Sequence, residues 1–322
     1  MSAIFMSNPT QLEAKLEEWL KHSPDRIRVE YETAYSGHKV YAISLSDFAV
    51  PDEKKRKLYV AQPHAHEPAT TAGMIDVIEQ LVAGYDLAGR PTLLDVGKVL
   101  AGMVVTFNPI GNPGGVERSP YPYWDGTEVP NERFWCIMFG EDPDAPGQRW
   151  NRVDQFDTKE LQAPDPIGIA YEQLDAYTYV EPNRTQLSSY SKLFRRMDAE
   201  YRYDYWLDLH QTEFVNSATQ CQILLPTVGL QTDEIRIQCE AWANHISEVW
   251  REAGFVVRPP APLGYTGTQA EYFRRNWGDI HRRMCKMTVE VKNNSACTPP
   301  ERQMEAEALA VVATIRRICG EV

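Results

Sequence analysis

Two residues three apart, His64 and Glu67, follow the apolar run Leu58-Tyr59-Val60-Ala61-Gln62 in the segment Pro63-His64-Ala65-His66-Glu67-Pro68. At the end of a strand this spacing lets both side chains reach one small ion, at the edge where open α/β sheets hold their ligands. Neutral imidazole and carboxylate are zinc ligands, and a catalytic zinc site takes three protein ligands and keeps a position open for water. His66 is also within reach, so either histidine can serve. A histidine near a glutamate on a protein surface is common and needs no ion.

His210 supplies a third group of the same kind, because Tyr203-Asp204-Tyr205-Trp206-Leu207-Asp208-Leu209 is a second apolar strand and ends at it. Asp208, two residues earlier, shares its strand face and can orient a ligand histidine from behind; a buried Asp-His pair with a structural role is the alternative. Glu290 lies within Met287-Thr288-Val289-Glu290-Val291, on the face opposite Met287, Val289 and Val291. A carboxylate in a β-branched strand either faces water or acts as a general base beside a metal.

The elements that must position these groups alternate between strand and helix. Leu12, Leu16, Trp19 and Leu20 have helical spacing after a candidate N-cap at Asn8 or Thr10, and Arg26 to Tyr31 with Lys39 to Leu45 suggests a hairpin about Ser36-Gly37. Met74, Ile75, Val77, Ile78 and Leu81 predict a helix after Glu67 that Gly84 ends. Val104 to Phe107 is the next strand, and Asn108-Pro109-Ile110-Gly111-Asn112-Pro113-Gly114-Gly115 is turn-forming. From Glu117 to Gln148 prolines, aromatics and charges suggest a long ordered loop. Residues 170 to 200 are expected to be helical on both sides of Pro182. A strand at Cys221 to Leu225, a helix from Asp233 to Gly254, a loop between Pro259 and Gly267, a strand from Met287 and a helix from Glu301 to Ile318 complete the chain. Such alternation implies an α/β fold with a parallel or mixed sheet covered on both faces. No repeat or composition break marks a second domain, so residues 1–322 are expected to form one catalytic domain, with residues 1–25 as a helical extension.

With 322 residues and 43% hydrophobic content the chain can bury a large core, and a net charge of −12, with only the short basic runs Lys54-Lys55-Arg56-Lys57 and Arg282-Arg283 that read as solvated faces, argues against a nucleic-acid partner. No stretch has the length and apolarity of a membrane span, and Met1 to Leu20 lacks the pattern of a signal peptide, so a cytoplasmic protein is expected. Six cysteines without a CxxC pair are expected to be reduced and mostly buried.

In this order, a His-x-x-Glu after a strand, an Asn-Pro turn, an Asn-Arg pair, a strand-end histidine and a late strand glutamate resemble the zinc carboxypeptidases related to carboxypeptidase A, over about residues 26 to 318. The resemblance implies a three-layer α/β/α fold with a mixed, largely parallel central sheet. It implies one zinc ion held by His64, Glu67 and His210, with Glu290 as general base. Asn112-Pro113-Gly114-Gly115 looks like the family's turn, with Asn108-Pro109 as a rival, and Asn151-Arg152 is similar to the pair that binds the substrate's terminal carboxylate. The arginine that stabilises the oxyanion is either Arg133 or Arg149, Tyr265 is the candidate for the active-site tyrosine, and Gln269 and Glu271 are expected near the specificity pocket.

The activity implied is hydrolysis of an amide next to a free carboxylate in a narrow range of peptides. The runner-up is a zinc deacylase acting on an N-acyl amino acid or a biosynthetic intermediate, similar to the succinylglutamate desuccinylase and aspartoacylase branch. A non-catalytic zinc-binding protein on the same fold is the third possibility. The sequence leaves the oligomeric state open.

Overall fold

The computed structural model describes residues 4–142, 144–150, 154–161 and 167–320. Its strands are β1 (Ile27–Thr33), β2 (Lys39–Leu45), β3 (Arg56–Ala61), β4 (Met103–Asn108), β5 (Gln155–Asp157), β6 (Glu172–Gln173), β7 (Thr178–Val180), β8 (Tyr205–Thr212), β9 (Cys221–Leu225), β10 (Ala261–Pro262) and β11 (Cys285–Lys292). The helices are α1 (Pro9–His22), α2 (Pro68–Ala83), α3 (Val96–Gly102), α4 (Pro113–Arg118), α5 (Asn131–Phe139), α6 (Thr158–Leu161), α7 (Ser189–Tyr201), α8 (Asp233–Glu252), α9 (Gly267–His281) and α10 (Pro300–Ile318). Eight strands form the central sheet in the order β1-β2-β4-β3-β8-β11-β9-β10, and β5-β7-β6 form a separate small sheet.

The middle of the large sheet is parallel: β4 with β3, β3 with β8, and β8 with β11. Antiparallel pairs flank it, so the sheet is mixed and largely parallel, as expected. Side chains alternate across it. Leu58, Val60, Leu207, Leu209, Met287, Val289 and Val291 pack with residues of α2, α8 and α10. Tyr59, Ala61 and Trp206 face the other way, against Tyr190, Leu193 and Phe194 of α7 and Phe273 and Trp277 of α9. Glu290 is therefore opposite Met287, Val289 and Val291, as the alternation predicts. Among the described residues no helix is long and apolar enough to cross a membrane.

Local signals account for the elements flanking the site. Asn8 caps α1 in a reciprocal box with Gln11, and α2 begins with Pro68 and ends where Gly84 turns left-handed at φ 78°. Two expectations need correction. Residues 170–180 are not helical; Asp175 Oδ1 accepts hydrogen bonds of 2.8 Å from the backbone of Tyr177 and Thr178, folding β6 back on β7, a short 3-10 turn follows at Pro182–Arg184, and α-helix begins only at Ser189, capped by Ser188. The segment 117–148 is not loop throughout, since α5 runs between Pro130 and Gly140 and buries Phe134 and Met138. Its clustered aromatics hide a short helix whose buried residues do not keep a simple period. Helix α9, following the expected loop, was likewise not anticipated.

The turn after β4 is pressed against the segment that carries His64. A side chain at Gly111 would meet Gln62 O at 2.4 Å and Pro63 Cα at 2.9 Å, and one at Gly115 would meet Ile169 O at 2.4 Å and Ala65 Cβ at 2.7 Å. Asn112 caps α4 by accepting from Gly115 N at 3.0 Å, whereas Asn108 donates to Tyr41 O within the sheet. Gln62 Nε2 and Thr71 Oγ1 both donate to Pro109 O, at 2.9 and 2.7 Å. Gly111→Ala is accordingly expected to lower stability by about 1–3 kcal/mol, because the nearest opposing atom is a backbone oxygen that cannot rotate away and the buried Tyr190 ring lies 2.8 Å off as well. Denaturant midpoints of the two proteins test this, and an unchanged midpoint would mean that the contact is not tight.

Candidate metal centre

Parallel pairing of β3, β8 and β11 brings their carboxyl ends to one edge of the sheet. His64 lies three residues past β3, and His210 and Glu290 are register partners across β8 and β11. Glu67, which precedes α2, closes the group from the other side. His64 Nδ1 lies 3.0 Å from Glu67 Oε1 and 3.1 Å from His210 Nδ1, and His210 Nδ1 lies 3.3 Å from Glu67 Oε2. His66 is nearby as well: donor atoms of His64, His66 and Glu67 fall within 4.8 Å of one another, and His66 Nε2 is 3.5 Å from Glu67.

A carboxylate stands behind each of the two facing imidazoles. His64 Nε2 contacts Glu181 Oε1 at 2.6 Å, and His210 Nε2 contacts Asp208 Oδ2 at 3.2 Å. Such backing fixes ring orientation and tautomer, turning Nδ1 forward. At 3.1 Å the two Nδ1 atoms cannot both carry a proton, and the contact of Glu67 Oε2 with His210 lacks hydrogen-bond geometry. Two imidazole nitrogens and a carboxylate converging in this way suit a divalent cation such as zinc.

Electrostatics follow from the crowding. Burial opposes charge on His64 and His210, but Glu67 and Glu181 raise the pKa of the first, and Asp208 and Glu67 raise that of the second. Burial opposes charge on Glu67 too, yet the same imidazoles hold its carboxyl well below the usual range. Glu290 is only partly exposed, with Oε2 shielded, and the loss of water together with the charge of Glu67 pushes its pKa upward despite His210 and His64. A carboxyl raised in this way is suited to exchanging protons near neutral pH.

These groups open on a cavity of about 310 Å³, whose walls also include Arg149, Asn183, Arg184, Tyr265, Lys286 and Thr288. The site residues expected from the sequence divide accordingly. His64, Glu67, His210, Glu290 and Tyr265 come together around the cavity. Arg133 does not: it is exposed on α5 and pairs with Glu141 at 2.7 Å, while Arg149 lines the rim, 5.3 Å from the Trp135 ring centroid. Gln269 and Glu271 are exposed on α9, and Phe273 of that helix is the residue that reaches the wall. Asn151 and Arg152 lie outside the described residues.

A second Asn-Arg dipeptide, Asn183-Arg184, lines the cavity. It follows β7 in the sequence Val180-Glu181-Pro182-Asn183-Arg184, so the small sheet delivers both the carboxylate behind His64 and the guanidinium. Arg184 Nε meets Glu181 Oε2 at 3.0 Å and Nη1 meets Asp154 Oδ1 at 3.4 Å, leaving Nη2 unpaired among the described residues. Reading residues 170–200 as helix concealed the strand end that would have marked this pair. Lys286 and Thr288 were also missed, although they alternate with Glu290 and share its face.

A zinc carboxypeptidase family model matches residues 12–215, a span that includes both histidines and Glu67 but stops before Glu290. No curated protein gives a significant match. Among solved structures, the fold is similar to carboxypeptidase A from Helicoverpa armigera, with a TM-score of 0.62 at 13% identity over 99% of this chain and 75% of that one. It is also similar to bovine thrombin-activatable fibrinolysis inhibitor, with a TM-score of 0.58 at 13% identity over 100% of both chains. A metallo-carboxypeptidase from Burkholderia cenocepacia gives a TM-score of 0.55 at 14% identity over 97% of this chain and 70% of that one. At such identities the likeness is one of fold. Because the family model covers well over half of the sequence and spans the histidine-glutamate cluster, the chain belongs to the zinc carboxypeptidase family.

Proposed function

We propose that the chain is a single catalytic unit that hydrolyses the amide bond next to a free carboxylate, with zinc as its metal. Support comes chiefly from the separations of 3.0, 3.1 and 3.3 Å among His64 Nδ1, Glu67 and His210 Nδ1 beside Glu290. Donors bonded to a tetrahedral zinc at its usual distances are about 3.3 Å apart. His64, Glu67 and His210 would hold the ion, and His66, without a place in this triangle, would flank it. When bound, zinc supplies Lewis-acid polarisation of the scissile carbonyl and acidifies water.

Glu290 takes a proton from the attacking water and returns it to the leaving amine, a cycle that needs a carboxyl of raised proton affinity facing the cavity. Arg184, whose guanidinium lines the cavity over the Tyr265 ring with no carboxylate on Nη2 among the described residues, binds the terminal carboxylate beside Asn183. Arg149 at the rim is better disposed than Arg133 to meet the developing oxyanion, and Tyr265 closes the opposite wall. Asp208 and Glu181 keep the two histidines in the ligand tautomer. Peptides with a free carboxyl end are the substrates this arrangement suits.

Replacing Glu290 by Gln is expected to keep stoichiometric zinc while reducing kcat/KM on blocked dipeptides about 10²- to 10⁴-fold. Metal analysis beside steady-state kinetics reads both quantities, and retained turnover would remove Glu290 from the mechanism. Release of the acyl acid from an N-acyl amino acid, with no cleavage of peptides, would favour a deacylase. A metal-loaded chain that cleaves no amide would be a binding protein on this fold.

Protonation of His64 and His210 competes with metal. The surrounding carboxylates raise the proton affinity of the pair, whose facing Nδ1 atoms have room for one proton between them, so the competition begins at a higher pH than for a free histidine and strengthens as pH falls. Zinc affinity measured against a chelator should therefore already decline on passing from mildly alkaline to neutral solution. An affinity that stays flat through neutrality would be inconsistent with two histidine ligands in these surroundings.

A further inference from the structure

The inner part of the cavity carries a buried cation that the hydrolytic scheme does not use. Register between β8 and β11 pairs His210 with Glu290, Asp208 with Thr288 and Trp206 with Lys286, all on the same sheet face. Each rung lies about 6.6 Å below the previous one. Lys286 is 3% exposed, and its side chain bends back toward the rung above. Nζ lies 2.8 Å from Asp208 Oδ2 and 2.7 Å from Thr288 Oγ1, with the Trp206 ring centroid at 5.2 Å. Both Lys286 and Thr288 line the cavity.

An ammonium has three N–H donors; one goes to the Thr288 hydroxyl, while Asp208 Oδ2 meets the charge as an ion pair without hydrogen-bond geometry. No further acceptor for the ammonium lies among the described residues. Asp208 does not neutralise the lysine alone, because its oxygens also meet His210 Nε2 at 3.2 Å and the Tyr190 hydroxyl at 3.3 Å. Keeping a cation in a nearly closed space costs several kcal/mol unless its donors are satisfied. A ligand acceptor entering from the cavity would complete the set, with the Thr288 hydroxyl beside it.

We propose that Lys286 and Thr288 select a substrate whose carboxyl-terminal residue bears an anionic side chain, of the glutamate class. This rests on the proposed hydrolytic role of the same cavity. One rung separates Glu290 from the level of Thr288 and the Lys286 ammonium, about the reach of a carboxylate on two methylenes measured from the scissile carbonyl. The substrate then carries two carboxylates, one for Arg184 and one for Lys286. A neutral amide of identical shape could meet the ammonium only through its carbonyl oxygen, without a full opposite charge.

The test compares blocked dipeptides ending in glutamate and glutamine, with the full metal-loaded chain. Glutamate is expected to be favoured in kcat/KM on the order of 10- to 100-fold, the scale of a hydrogen bond between charged groups. Lys286→Met should abolish the preference and Lys286→Arg should keep part of it. Equal use of the two substrates by the unmodified protein would overturn the proposal, as would an equal loss on both in Lys286→Met. Should Lys286→Met not fold, the glutamate-to-glutamine ratio of the unmodified protein and of Thr288→Val decides. Calorimetric binding of N-acetylglutamate against N-acetylglutamine separates this inference from the hydrolytic one. A preference for N-acetylglutamate without turnover of any peptide would sustain the pocket and sink the hydrolase; turnover without preference, or binding of neither ligand, would sink the pocket.

Discussion

Several carboxylates share one poorly hydrated end of the sheet, and that charge must be balanced there. Glu67, Glu181 and Asp208 are almost wholly buried within contact distance of His64 or His210, and Glu290 opens on the same cavity. Water cannot screen them, so each negative charge requires a cation or a proton nearby. Arg184 answers Glu181, Lys286 answers Asp208, and the imidazoles answer Glu67, their charge resting on whether a proton or a metal occupies the space between them. Family membership implies zinc as the metal.

Strand geometry makes the crowding possible. Parallel neighbours present the same end to the same edge, so residues far apart in sequence meet without long connecting arms. The cost falls on the connections, which must pass close to the site. Gly111 and Gly115 bear it, allowing the chain after β4 to lie against the backbone on either side of His64. The helices after the site are tight for the same reason: α10 approaches α2 so closely that a side chain at Gly73 would meet Glu307 Cβ at 2.7 Å.

The sequence made the frame and the metal-binding candidates legible because their signals are local. Apolar runs ending in His64 and His210, and the polar Glu290 inside a β-branched strand, are visible without knowing what lies beside them. What distinguishes His64 from His66 was not visible: Glu181, which contacts His64, is brought up by the small β5-β7-β6 sheet. Asn183-Arg184 was not legible because strands of two and three residues leave almost no periodicity, and Asn151-Arg152 offers the same dipeptide. Arg133 was attractive by type, but the helix that carries it points it to solvent, and that direction follows from burial of Phe134 and Met138. Lys286 reads as an ordinary strand-end lysine until the pairing of β11 with β8 puts Asp208 beside it.

The short bend after β7 joins two tasks on adjacent residues. Glu181 holds one nitrogen of His64, and three residues later Arg184 holds Glu181 in turn while facing the cavity. A guanidinium pulled toward an incoming anion would share its hold on Glu181, and the imidazole beyond would feel the difference. On the proposed roles, a metal held by His64 and an anion held by Arg184 would not be independent equilibria, and any free energy coupling them would act equally in both directions. This bend would then join the proposed metal position and the proposed anion position, built by different sheets, into one thermodynamic unit.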